Sequence, residues 1–146
     1  MGGICPCGVQ VNAFARRVNV RINGVRGNIT GNLTYRANVC ISTLNTSTLS
    51  LRFEDTETPN NRFNFLFTAN EITDVTCRRE GQNCVVTVRG TGMVGMTQYS
   101  FVAVFRDQVG TAANDLVQSF VITEFFNQGG TVQVEQGSIV AVGCQS

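Results

Sequence analysis

Residues 14–35, FARRVNVRINGVRGNITGNLTY, carry the clearest structural pattern in the chain: an alternation of apolar and polar residues on both sides of Asn23-Gly24. Asn-Gly supplies the two positive φ angles of a type I′ turn, so the pattern predicts a β-hairpin. Pairing about that turn sets Ile22 opposite Val25, Val20 opposite Gly27, Val18 opposite Ile29 and Phe14 opposite Leu33. One face of the predicted hairpin is then apolar, and the other carries Asn19, Arg21, Arg26, Asn28, Thr30 and Thr34.

Further short strands follow along the rest of the chain. Alternation of period two recurs in residues 49–53, 63–67, 86–88, 120–122, 132–134 and 139–142. Residues 99–105 are apolar on both faces, which is typical of a central strand. About nine or ten strands separated by Gly, Asn, Asp and Pro predict an all-β domain over residues 10–146, an antiparallel β-sandwich or jelly roll. Residues 1–9, which are Gly-rich and contain two cysteines, are predicted to be a short flexible N-terminal arm.

The amino-acid composition excludes many kinds of chemistry. The chain of 146 residues has no His, no Trp and no Lys, so Ser-His-Asp triads, P-loop lysines and Schiff bases cannot be built. We therefore expect a protein that is not an enzyme and that needs no cofactor. Charged residues make up 14% of the chain and the formal net charge is +1, which gives no basic footprint for nucleic acid. No stretch approaches the ~18 apolar residues of a membrane span, so membrane insertion is not expected either.

The six cysteines are an even set, which favours disulfides in an oxidising compartment. Cys77 and Cys84 lie at the end of one predicted strand and the start of the next, so we expect an intramolecular disulfide across that hairpin. A zinc site formed by these two residues with Cys5 and Cys7 is the alternative. It is disfavoured because the paired C-x-x-C knuckles of such sites are missing.

Cys5 and Cys7 lie on the predicted arm, and the very small ring between them would strain a disulfide, so both need partners elsewhere. Two arrangements stay open: intramolecular bonds to Cys40 and Cys144, or bonds to a neighbouring subunit. The second makes all four residues candidates for intersubunit disulfides. The first seven residues lack the basic and apolar regions of a secretory signal. Either a signal has been removed, or the protein reaches an oxidising place without one.

Two clusters of oxygen-bearing side chains are candidates for calcium. Asp107 and Asp115 flank one loop, and residues 54–61, EDTETPNN, concentrate carboxylates and amides in another. Neither follows the D-x-D-x-D-G loop pattern, and a solvated turn explains both, so we expect no metal and keep Asp107 and Asp115 only as calcium candidates. A glycosidase pair is not expected, because the acidic residues of 54–61 share one loop and do not face each other across a cleft.

Four segments in succession resemble a known family: Gly31–Tyr35 (GNLTY), Val86–Gly92 (VTVRGTG), Tyr99–Asp107 (YSFVAVFRD) and Asp115–Ile122 (DLVQSFVI). They are similar to the G-x-L-x-Y strand, the strand ending in G-x-G, the Tyr-x-Phe-x-Val strand ending in Asp and the D-x-F-x-I strand of the small secreted bacterial β-domain called post-COAP. Here Asp115 is farther from Phe120 than in that pattern. The resemblance covers residues 11–142 and implies an extracytoplasmic, non-catalytic module, and it transfers no binding residues.

The Cys-bearing arm resembles, in architecture alone, the N-terminal connectors of bacterial endospore-appendage subunits, which join neighbouring subunits by disulfides. We therefore expect a structural subunit of an extracellular or spore-surface assembly, such as a filament, cross-linked to copies of itself by disulfides. The alternative is a non-catalytic, ligand- or glycan-binding adhesive module of a secreted bacterial protein. Sugar sites typically use exposed aromatic residues that also carry a polar group, which are Trp and Tyr. The chain has no Trp and only Tyr35 and Tyr99, and this weakens the glycan-binding alternative.

Overall fold

The computed structural model describes residues 5–109 and 114–144. Within these residues the chain forms ten strands and two short 3-10 turns, which confirms the predicted all-β class and the predicted number of strands. The strands are β1 (Gly8–Ile22), β2 (Ile29–Cys40), β3 (Thr48–Asp55), β4 (Phe65–Glu80), β5 (Asn83–Val94), β6 (Thr97–Asp107), β7 (Asp115–Ile122), β8 (Phe126–Asn127), β9 (Val132–Val134) and β10 (Ile139–Val142), and the turns are Ile41–Thr46 and Pro59–Asn61.

The sheet closes on itself, and this corrects the predicted sandwich or jelly roll. Consecutive strands pair antiparallel from β1 to β8, and β8 pairs back onto β1 to close an eight-stranded barrel. β9 pairs with the first residues of β7, and β10 pairs with the first residues of β1. A sandwich packs two separate sheets and keeps their edges, whereas closure removes the edges. The closing strand β8 is only two residues long, so the alternation pattern gives no sign of it.

The hairpin of β1 and β2 exists as predicted, but its turn is longer. Val20 lies opposite Ile29, so the connection spans residues 23–28 and is not the two-residue Asn23-Gly24 turn. Gly24 and Gly27 both have positive φ, 84° and 78°, which lets the chain reverse over this wider loop. A tight turn does form at Asn23-Gly24, where the Val25 N–H donates to the Ile22 carbonyl at 3.0 Å, but the predicted pairs Val20–Gly27 and Val18–Ile29 are wrong. The faces of Val20 and Ile29 were predicted correctly, because both are buried in the barrel.

A bulge in β1 explains why the predicted alternation fails before Val18. The pairing of β1 with β2 shifts between Ala15 and Val18, and Arg17 inside the bulge has φ 56°. An extra residue at a bulge reverses which face the preceding side chains take. Ala15 is therefore buried, while Phe14, predicted to face the core, is 44% exposed on the outside.

The barrel interior is filled by aromatic side chains. An eight-stranded barrel has an interior just wide enough for its own side chains. Phe67 packs edge-to-face on Phe101 with ring centroids 5.3 Å apart, and on Phe120 at 6.2 Å. Phenylalanines exposed by 3% or less fill this core from six positions: Phe53, Phe67, Phe101, Phe105, Phe120 and Phe126.

One polar network is buried with these rings. The Tyr35 hydroxyl donates to Gln128 Oε1 at 2.5 Å, and the Gln128 amide nitrogen donates to the carbonyls of Val117 at 2.8 Å and Gly130 at 2.6 Å. Burial raises the pKa of Tyr35, so the hydroxyl stays protonated and remains a donor. The network ties β2 to the segment between β8 and β9 through the middle of the core.

Candidate functional site

Three disulfides lie at one end of the barrel, which we call the cystine end. They join Cys5 to Cys40, Cys7 to Cys77 and Cys84 to Cys144. Cys5 and Cys7 precede β1, Cys40 ends β2, Cys77 lies near the end of β4, Cys84 near the start of β5 and Cys144 after β10, so both terminal segments are tied to the strands. In the chain-entropy model, closing loops of 35, 70 and 60 residues stabilises a fold by about 4 kcal/mol each when taken singly. Disulfides form and persist in oxidising compartments, so three of them indicate that the protein works in one.

The predicted disulfide between Cys77 and Cys84 is wrong. The hairpin of β4 and β5 turns at Gly81, with Arg79 opposite Cys84 and Cys77 opposite Val86. Cys77 and Cys84 are therefore diagonal neighbours, at a spacing of roughly 7–8 Å that exceeds the reach of a disulfide. The sequence correctly indicated a hairpin here. Its two-residue turn sets the strand register, and that register places Cys77 too far from Cys84 for a disulfide.

The prediction of intersubunit disulfides through Cys5, Cys7, Cys40 and Cys144 is also wrong, because each of these residues is bonded within the chain and no cysteine is free. The open alternative of intramolecular bonds is correct for Cys5 with Cys40, whereas Cys7 takes Cys77 and Cys144 takes Cys84. These bonds also fix the described part of the predicted flexible arm. Strand β1 already begins at Gly8, and the Ile41 N–H donates to the Cys7 carbonyl at 2.9 Å. Residues 1–4 of the predicted arm lie outside the described residues.

Asp115 holds the outer edge of β10 at the cystine end. Its carboxylate is fully buried, and Oδ2 accepts the backbone N–H groups of Gly137 at 2.9 Å and Ile139 at 3.0 Å. Oδ1 accepts the N–H of Gln108 at 2.9 Å. The other edge of β10 pairs with β1. A side chain thus takes the place that a neighbouring strand would have, which protects an exposed strand edge.

Asp107 binds the same edge of β10, two residues beyond Ile139. Its Oδ2 accepts the N–H of Ala141 at 2.9 Å. Partial burial raises the pKa of Asp107, and the nearby charge of Asp115 raises it further against the opposing effect of the Ala141 hydrogen bond. We call these two carboxylates and the edge of β10 that they bind the carboxylate clamp.

The calcium candidates therefore have another role. The oxygens of Asp107 and Asp115 accept backbone N–H groups, and no group of three or more His, Cys, Asp or Glu side chains placed to hold a metal occurs among the described residues. In the other candidate loop the buried Asp55 accepts the N–H groups of Glu57 and Thr58 at 2.9 and 3.0 Å and the Thr58 hydroxyl. Burial favours its neutral form, but these hydrogen bonds outweigh burial and hold the pKa of Asp55 below its usual range. Asp55 thus organises the turn that follows β3.

The outward side chains of β10 and β1 to β4 form one continuous surface, which we call the outer face. Strand register places Phe14, Thr34, Arg52 and Leu66 in one row across β1 to β4, with Asn12, Arg36, Ser50 and Thr68 in the next. Three large apolar side chains stand out of it: Phe14 is 44% exposed, Leu66 55% and Val140 49%. Shallow grooves of about 590, 390 and 630 Å³ cross this surface. The sequence did not predict the outer face. Its alternation placed Phe14 in the core, and only the bulge in β1 turns this side chain outward.

Comparison with family models, with curated proteins and with solved structures finds no match to this chain. The suspected resemblance to the post-COAP domain therefore remains a hypothesis from the sequence. Among residues 5–109 and 114–144, no helix has the length and apolar character needed to cross a membrane.

Proposed function

We propose that this protein is a non-catalytic structural subunit of an extracellular or spore-surface assembly, and that its copies associate without covalent cross-links. The exposed apolar side chains of the outer face are the observation that carries the proposal. Phe14 and Leu66 lie in one row with the polar residues Thr34 and Arg52 between them, and a mixture of exposed apolar and polar side chains on one face is typical of interfaces between separately folded subunits. The three intrachain disulfides support a rigid subunit that works in an oxidising place, and they leave no thiol for joining copies.

The charges are distributed unevenly along the chain, which suits association of copies through opposite charges. The first 53 residues contain six of the eleven arginines and none of the ten acidic residues. Arg36 and Arg52 lie exposed on the outer face, and neither forms an ion pair within the described ranges. Glu71 and Asp74 on β4 are also without an ion pair there. Contact between the arginines of one copy and these acids of the next would join copies by opposite charges, and where such a contact repeats without closing it gives a filament.

The proposal can be tested with a variant that makes the outer face polar. In Phe14→Ser with Leu66→Ser, both substituted positions are exposed, so the barrel core is untouched. Sedimentation velocity of the oxidised protein over a range of concentrations should show large species for the wild type and mostly single chains for the variant. Circular dichroism of the two proteins should coincide.

Met96→Ser is the matched control, because Met96 is 98% exposed on the turn between β5 and β6 and does not lie on any of the strands that form the outer face. The control should assemble like the wild type. A wild type that sediments as a single chain at every concentration would contradict the assembly proposal. Equal loss of assembly in the control would show that general surface hydrophobicity, and not this face, drives association.

A ligand-binding module is the second candidate function. It is favoured by a groove at the end of the barrel opposite the cystine end, where aromatic and polar side chains meet. A protein with this role would remain a single chain in the experiment above. Its variant with Phe14→Ser and Leu66→Ser would bind the ligand as tightly as the wild type does.

A further inference from the structure

A groove of about 320 Å³ lies between the β1–β2 loop and the turn that joins β7 to β8, and we call it the turn groove. Its size falls at the lower end of the roughly 300–1,000 Å³ of small-molecule sites. Its walls are fixed by backbone hydrogen bonds: the Asn23 N–H donates to the Phe125 carbonyl at 2.8 Å, and the Phe125 N–H donates to the Ile122 carbonyl at 2.9 Å. The groove is therefore preformed.

The groove combines three polar side chains that are not used elsewhere. Arg21, Asn23 and Glu124 line it, and their side chains form no hydrogen bond or ion pair in the part of the chain that the structure describes. Glu124 has φ 66°, a left-handed conformation that costs a non-glycine residue free energy. Strained residues of this kind cluster at ligand sites, where the surrounding structure holds them in place.

The lining residues also include an aromatic residue, Phe125. Phe125 is half-buried, and its ring packs edge-to-face on Phe65 with centroids 4.9 Å apart and lies 5.0 Å from the ring of Tyr99. Two aromatic neighbours hold the ring rigid, so little side-chain entropy would be lost when a ligand contacts it. A rigid aromatic side chain with a few fixed polar groups beside it is the usual composition of a small-molecule site.

We propose that the turn groove binds an acidic saccharide. The Arg21 guanidinium is suited to a sugar carboxylate, because its planar fork binds carboxylates with two parallel hydrogen bonds. Glu124 accepts hydrogen bonds from sugar hydroxyls, and the Asn23 amide both donates and accepts. The Phe125 ring contacts the C–H face of the sugar. This inference does not depend on the assembly role of the outer face.

The test is a titration of the isotope-labelled, oxidised protein with trigalacturonate, followed by amide chemical shifts. Shifts should concentrate at Asn23, Glu124 and Phe125. Arg21→Gln should weaken binding at least about ten-fold, because a charge-assisted hydrogen bond is lost. Phe125→Ala should weaken it as well, but that variant also loses core contacts, so Arg21→Gln is the primary variant.

Arg26→Gln is the matched control, because Arg26 is an exposed arginine of the same loop that does not line the groove. It should bind trigalacturonate like the wild type. Neutral galactotriose should bind at least about ten-fold more weakly than trigalacturonate, and succinate, which carries carboxylates without a sugar ring, should bind more weakly still. The proposal is overturned if trigalacturonate causes no shifts in the groove, if Arg26→Gln weakens binding as much as Arg21→Gln, or if succinate or galactotriose binds equally well.

Discussion

Replacing Asp115 by Ala should destabilise the barrel more than any other single change at the cystine end that leaves the disulfides intact. The carboxylate is fully buried and accepts three backbone N–H groups, from Gln108, Gly137 and Ile139, at 2.9–3.0 Å. A buried donor left without an acceptor costs about 1–3 kcal/mol, and of these three donors only that of Ile139 is fully buried, whereas the other two are part-buried and water can replace their acceptor. Asp115→Ala should therefore lower the free energy of unfolding by about 2–3 kcal/mol.

Asp107→Asn is the contrasting variant. Asp107 accepts a single N–H, from Ala141, and the amide oxygen of Asn can keep that hydrogen bond. The substitution also removes a partly buried charge that lies close to the charge of Asp115. We expect the free energy of unfolding at neutral pH to stay the same or rise slightly.

The pH dependence follows from the direction of the Asp107 pKa shift. Its pKa is raised in the folded protein, so between the unfolded and the folded values the native state binds more protons than the unfolded state. This group therefore stabilises the wild type below the unfolded pKa, and the stabilisation is lost as the pH rises through the folded pKa. As the pH rises through that window, the wild type should therefore lose unfolding free energy relative to Asp107→Asn.

Urea unfolding of the disulfide-bonded proteins, followed by circular dichroism between pH 3 and 8, measures both effects. A loss below about 1 kcal/mol for Asp115→Ala would refute the carboxylate clamp, because it would mean that the N–H groups do not depend on this side chain. An equal loss of unfolding free energy in Asp107→Asn and Asp115→Ala would also contradict the account, because Asp115 accepts three N–H groups and Asp107 only one.

Three further changes probe the fold. Cys84→Ser with Cys144→Ser opens a 60-residue loop and should lower the free energy of unfolding by about 4 kcal/mol in urea titrations, and a change under about 1 kcal/mol would contradict this disulfide. Tyr35→Phe removes the donor to Gln128 and should cost about 1–2 kcal/mol by the same assay, whereas unchanged stability would mean that the network adds nothing. Gly90→Ala places a Cβ against a carbonyl oxygen of β4 and should lower the thermal midpoint by several degrees, so an unaltered midpoint would contradict this close approach of β4 and β5.

The strand pattern could be predicted from the sequence because alternation is a local property. Val20, Ile29 and Leu33 were assigned to the core and are buried there. Barrel closure was not predictable in this way. It depends on β8, which has two residues, and on bulges such as the one at Arg17, which no residue type announces.

The cysteine chemistry was predictable in kind and not in detail. An even set of cysteines correctly indicated disulfides, but six cysteines allow 15 pairings, and the choice depends on strand register. Cys77 misses Cys84 because a two-residue turn sets them two positions apart. The sequence made Asp107 and Asp115 candidates for calcium ligands. Their partners are backbone N–H groups, and those of Ile139 and Ala141 lie in β10, more than 20 residues farther along the chain.

The central claim is an assembly of closed, disulfide-bonded barrels that are not cross-linked to one another. The most direct test compares the mass of the native, oxidised assembly with the mass of the same material dissolved in denaturant without reductant. We predict a large native species that dissolves into single chains of 15.8 kDa, each lacking the hydrogens of its six thiols. A ladder of disulfide-linked multiples in denaturant, or a native protein that is already a single chain, would contradict the account.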